Sequence, residues 1–276
     1  MISNQDHYLL KAIIQTINRA NFGHHATNRS IPKAASALEV FVTNGNVDAC
    51  YWLAILCWDG WGLPRNTQRA LQLFHVAAKG GNRKAMHNLA VVYDNGLSVQ
   101  TNRVKAFSFF LSAAQLGDKE AMHAIGDMFL SGEGTDYNPS KARYWFLRSA
   151  KLGVAKAMYD LARCYQKGVG TKQNTRLALQ WYNQALDAGE TKALTGLGYC
   201  YHKLISSPDV AKARWYYEQA SELGHAHATY NLGVMAERGD GQLQLLPDAI
   251  FWYKRAASFG HEGAMLKLAK LSGEEF

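Results

Sequence analysis

Histidine, cysteine and closely spaced glycine are the residue types in this chain that could carry chemistry, and each has its own test of spacing. The chain holds ten histidines. A helix-borne zinc site of the HExxH kind, or paired CxxC motifs, would mark a metal centre, and neither motif occurs. His225 and His227 are two apart, wrong for one helix face, and His24-His25 reads as a solvated pair in a loop. The glycine pairs Gly132/Gly134, Gly168/Gly170 and Gly239/Gly241 lack a sixth-position glycine and a following Lys-Ser or Lys-Thr, so they read as turns and not as phosphate cradles. No G-x-S-x-G elbow offers a nucleophile. Neither catalysis, nor a metal, nor any other cofactor is expected.

What positions these residues is a repeat. Ala49, Ala85, Ala121, Ala157, Ala193, Ala228 and Ala264 stand 36 residues apart, with one interval of 35. Four residues after each comes Leu53, Leu89, Ile125, Leu161, Leu197, Leu232 or Leu268, then always Ala or Gly. At 3.6 residues per turn these positions share one face, so each marks an amphipathic helix, helix A. It stops at Gly60, Gly96, Gly132, Gly168 and Gly239. A second helix, B, carries Ala70, Ala106, Ala142, Ala178, Ala213 and Ala249, each followed four residues later by Phe or Tyr, from Phe74 to Tyr253.

One such hairpin cannot bury both apolar faces alone, so neighbours must stack. The expected fold is all-α: a right-handed α-solenoid, or superhelix, of helix-turn-helix repeats with a period of about 36 residues. Residues 1–46 read as a degenerate N-terminal capping repeat, and 47–276 as six repeats plus a final C-terminal helix. Repeat five departs from the pattern: Leu204 fills the glycine slot, one residue is missing, and Ser206-Ser207-Pro208 must make another turn. It is expected to be the weak joint of the array.

Composition agrees with this and narrows the function. The chain has 48% apolar residues and only 5 prolines among 276 residues, enough for a continuous helical core. The longest apolar run, Ala49 to Trp58, is about half of what a bilayer crossing needs. With no basic segment ahead of an apolar run at the N-terminus, a soluble cytoplasmic protein is expected. Cys50, Cys57, Cys164 and Cys200 show no disulfide spacing and read as reduced, buried thiols. The net charge of +8 favours an acidic partner, but it is dispersed, with no basic stripe to mark a nucleic-acid reader.

The segments AMHNLAVVYDNG, AMYDLARCYQKGVG, ATYNLGVMAERGDG and ALQWYNQALDAG resemble Sel-one-like repeats, relatives of the tetratricopeptide repeats, over residues 47 to 271. The resemblance implies protein-protein interaction: adaptors, scaffolds and inhibitors, including bacterial immunity, secretion and virulence roles. Some cysteine-rich secreted members are linked to cell-envelope chemistry, but this chain lacks their cysteine pair in every repeat.

In related superhelices the side of helix A opposite its buried stripe lines a concave groove. That side carries offsets 2, 6 and 9 from each alanine, and eight of its eighteen residues in the six repeats are aromatic or histidine, the composition of a binding surface. The partner-binding candidates are Trp58, His87, Asp94, His123, Asp127, Tyr159, Arg163, Gln166, Tyr199, His202 and Tyr230. Of these, Trp58, Asp127, Arg163, Tyr199 and His202 are side chains for which folding supplies no reason. The expected partner is a protein with an acidic or mixed surface, with nucleic acid the alternative and an envelope enzyme a distant third. Arg143 and Lys254, on the outer helices, are expected to be neutral to binding.

Overall fold

Asparagine and aspartate open most of the helices. In the computed structural model, which describes residues 4–21, 30–241 and 244–272, the Asn46, Asn82 and Asp118 side chains accept from the N–H of Ala49, Ala85 and Ala121 at 2.9 Å. These bonds start helices A of repeats one to three. Asn66, Asn102, Asn138, Asn174 and Asp209 do the same for helices B of the first five repeats. Each such cap contributes about 1 kcal/mol by satisfying an end N–H that has no partner within its helix.

The described residues form fifteen α-helices and no strand, in two units. Unit 1, Met1–Tyr137, holds α1 (Asn4–Asn21), α2 (Ser30–Thr43), α3 (Val47–Asp59), α4 (Thr67–Lys79), α5 (Arg83–Asn95), α6 (Arg103–Gln115) and α7 (Lys119–Ser131). Unit 2, Asn138–Phe276, holds α8 (Pro139–Lys151), α9 (Ala155–Lys167), α10 (Thr175–Asp187), α11 (Ala193–Tyr199), α12 (Val210–Glu222), α13 (Ala226–Arg238), α14 (Leu246–Ser258) and α15 (Glu262–Ser272). Odd numbers from α3 are helices A and even numbers from α4 are helices B, the all-α solenoid hairpins that the alanine period predicts. His24-His25 lies outside the described residues.

Within unit 1, α1 and α2 join the core of the first repeats. Leu10, Ile13, Ile17, Leu38 and Phe41 pack in one cluster with Leu53, Phe74 and Leu89, whereas Leu9 is exposed. Unit 2 is built around three wholly buried tyrosines from helices B: Tyr182, Tyr217 and Tyr253. Their rings lie so close to helix A backbone that a Cβ on Gly196, Gly198 or Gly233 would come within 2.3, 2.6 and 2.6 Å of them. Glycine here is a requirement of ring packing, and each ring contributes about 2–3 kcal/mol of apolar burial.

Repeat five departs from its neighbours where the sequence loses a residue. In repeat four, α9 ends at Gly168 in the left-handed conformation (φ 74°) and the chain returns so that the N–H of Asn174 donates to the Tyr165 carbonyl at 2.8 Å. In repeat five, α11 passes after Tyr199 into a π turn, Cys200–Leu204, and the N–H of Ile205 donates to the Cys200 carbonyl at 3.2 Å. The equivalent return bond survives, from the N–H of Asp209 to Tyr201 at 3.1 Å. The shorter loop reaches the same anchor.

Candidate functional site: a groove across α9, α11 and α13

Offsets 2, 6 and 9 of repeat four place Tyr159, Arg163 and Gln166 along α9, and offsets 2 and 6 of repeat five place Thr195 and Tyr199 on α11. In unit 2 these five line one groove of about 940 Å³, which continues to His225, His227 and Asn231 at the start of α13. Tyr159 leans on Tyr182, ring centroids 5.8 Å apart, and Arg163 lies 5.7 Å over the Tyr159 ring while meeting Asp160 at 3.3 Å. Gln166 accepts the Tyr182 hydroxyl hydrogen bond. Tyr199 is 40% exposed.

The electrostatics are one-sided. Arg163, Lys167 and Lys192 line the groove together with two histidines, and the lining contains no Asp or Glu. His225 is held below the ordinary histidine pKa, first by burial, with Glu190 acting against that shift and Lys192 reinforcing it. It contributes a neutral ring at pH 7.

The remaining candidates are held elsewhere. His202 is a correction: it is only 6% exposed, and its Nε2 sits 2.8 Å from the Asp240 carboxylate. The π turn carries it off the open face, so folding does make a demand on it. Tyr230 stacks on His261 at 4.3 Å and lines a smaller cleft of about 420 Å³ with Glu237 and Lys267. In unit 1, Trp58 is half-buried with its ring 6.3 Å from Phe74. His87 Nδ1 lies 3.2 Å from Asp118, Asp94 pairs with Arg103, and His123 Nδ1 lies 3.5 Å from Asp127. Arg143, on an outer helix, donates from Nε to the Gly170 carbonyl at 3.1 Å and so also holds a turn.

The offset rule missed Lys167, Lys192, His225, His227 and Asn231. At about 100° per residue, offsets 2, 6 and 9 span an arc from about 180° to 240°, and offsets −1, 3 and 10 extend it to about 300°. Lys192 and His227 stand at −1, Asn231 at 3 and Lys167 at 10. A wider arc finds all four.

All four cysteines are free and buried. Burial pushes the Cys164 thiol up to about 11 and Cys200 up to about 12, which leaves almost no thiolate at neutral pH. No helix among the described residues is long and apolar enough to cross a membrane.

The geometry is that of stacked helical hairpins with an open face, and the chain's repeats match a known one. Residues 47–82, 83–118, 119–154, 155–190, 191–225 and 226–261 each match the Sel1 repeat model. The chain belongs to the Sel1 repeat family. A protective antigen of uropathogenic Escherichia coli displaying an SLR fold superposes with TM-score 0.73 at 23% identity, over 94% of this chain and 59% of that one. This chain thus spans under two thirds of that protein, and the likeness concerns the fold. A Sel1 repeat protein from Oxalobacter formigenes superposes with TM-score 0.70 at 25% identity, over 88% of this chain and 96% of that one. The immunity protein Pa5087 of Pseudomonas aeruginosa, 23% identical over 66% of this chain and 67% of that one, reaches a TM-score of only 0.44, too loose to argue from. No curated protein matches the chain. Sel1 repeat proteins are in general protein-interaction scaffolds.

Proposed function

We propose that this protein is a non-enzymatic scaffold, adaptor or inhibitor that acts in the cytoplasm and holds a segment of a partner protein in the groove of α9, α11 and α13. A bacterial immunity or secretion role is one concrete form of this. The observation that carries the reading is the convergence of Tyr159, Arg163 and Tyr199 on one open groove, where amphipathic rings and a cation face outward. Such residues supply most of the energy at protein interfaces.

The test separates binding from folding. A photo-crosslinking residue at Thr195 is expected to capture the native partner, and the same residue at Lys254, which does not line the groove, is not. Arg163→Ala with Tyr199→Ala is expected to leave helicity and Tm nearly unchanged and to weaken the captured partner by about 2 kcal/mol or more. Lys151→Ala with Lys254→Ala serves as the exposed control pair. Normal affinity in the groove pair together with loss in the control pair sinks the reading. Affinity that falls steeply with salt, with slope set by phosphate count, would favour nucleic acid instead.

A further inference from the structure

Resting on the groove reading, we infer that the occupant is an acidic peptide segment. Its carboxylates face Arg163, Lys167 and Lys192, and an aromatic or aliphatic residue lies on Tyr159 and Tyr199. Two observations carry this. The lining holds three cations and no carboxylate. Lys167 and Lys192 have no ion pair among the described residues, so their charge is available to a ligand.

Below the groove floor the repeats differ in what their helix B hydroxyls meet. In repeat four the buried Tyr182 hydroxyl donates to Gln166, and in repeat six Tyr253 donates to Glu237 at 2.5 Å. Gln166 and Glu237 both stand at offset 9 of their helix A. At that offset in repeat five stands His202, which the π turn has committed to Asp240. Tyr217 is therefore wholly buried, with its hydroxyl turned to Asn231 and outside ordinary hydrogen-bond geometry.

The size and edges of the site favour a peptide over a nucleic-acid strand. Three neighbouring helices at axis spacings of about 10 Å give a path of about 20 Å. An extended chain at about 3.3 Å per residue crosses it with about six residues. Past the groove, Glu237 stands on the same face of α13 with its carboxyl held below the usual range by hydrogen bonds from Lys267 and Tyr253.

The experiment selects a displayed random octapeptide library on the full chain and on the Lys167→Gln/Lys192→Gln variant. Expected is an enrichment of Asp and Glu of about fivefold over input, with an aromatic or Leu in most retained sequences, and loss of that enrichment on the variant. A synthetic copy of the most enriched peptide is expected to bind at least tenfold more weakly when its acids become amides. Retention of nothing, retention without acid enrichment, or equal binding to the lysine variant overturns the inference, as does tighter binding of a 12-nucleotide single strand that displaces the peptide. A partner crosslinked at Thr195 in a library-negative protein overturns the acidic occupant alone. A partner that crosslinks only outside the groove overturns the groove reading itself.

Discussion

Repeats four and five are adjacent hairpins of unit 2 with the same alanine register and the same buried helix B tyrosine, yet they finish helix A differently. Repeat four ends on a left-handed glycine and closes its buried hydroxyl pair, Tyr182 to Gln166. Repeat five ends on a π turn, loses that pair, and ties His202 to Asp240. The ring packing is common to both. A repeat therefore tolerates a one-residue deletion as long as its return bond and its buried ring survive, and what it gives up is polar satisfaction.

The largest effect tests the shared part. Tyr182→Ala and Tyr217→Ala are each expected to cost about 3–5 kcal/mol in denaturant unfolding, since both leave a ring-sized cavity against glycine. A tolerated Tyr217→Ala would mean that repeat five is not packed like repeat four. Next comes local opening: amides of the π turn and α12 are expected to exchange about tenfold faster than those of α9 and α10, a difference of about 1.4 kcal/mol. Uniform protection across both repeats would erase the contrast.

A subtler pair isolates the hydroxyls. Tyr182→Phe is expected to cost about 1 kcal/mol by stranding Gln166, while Tyr217→Phe is expected to cost less, because its hydroxyl meets only Asn231 and outside ordinary hydrogen-bond geometry. Equal costs would show that Asn231 holds the Tyr217 hydroxyl as firmly as Gln166 holds that of Tyr182.

The smallest expected effect is on pH. Burial lowers the His202 pKa, with the Asp240 hydrogen bond opposing that shift and Lys203 and Arg238 adding to it. The unfolded state thus takes up a proton that the folded state resists. Its contribution is full above the unfolded value of about 6.5 and is lost as pH falls below it. Exchange of the π turn is expected to quicken between pH 7 and pH 5.5 relative to α9, after correction for intrinsic rates, and to lose that dependence in His202→Phe.

Much of this was legible beforehand. The alanine and glycine spacing predicts the hairpins because each position answers a local demand, a close backbone approach or a left-handed stop. Leu204 in a glycine slot likewise marks repeat five as irregular. The winding that replaced the stop was not legible, because the partner that holds His202, Asp240, lies 38 residues away. Periodicity put His202 on the open face by assuming an α-helix that the missing residue had already broken. Tyr159, Arg163, Gln166 and Tyr199 did meet in a groove, since the helices carrying them run regularly up to those positions. The lysines at the groove edge were missed through too narrow an arc.

The thiols give the molecule an internal stopwatch. Cys164 sits in repeat four and Cys200 in repeat five, both shielded, with thiolate fractions at pH 8 of about one in a thousand and one in ten thousand. Neither can react with a disulfide reagent at a useful rate until its helix opens, so each labelling rate records how often that one turn of helix lets go. Two cysteines 36 positions apart at the same register, one in a regular helix and one opening the π turn, then time the two repeats against each other within a single chain, with no mutation needed.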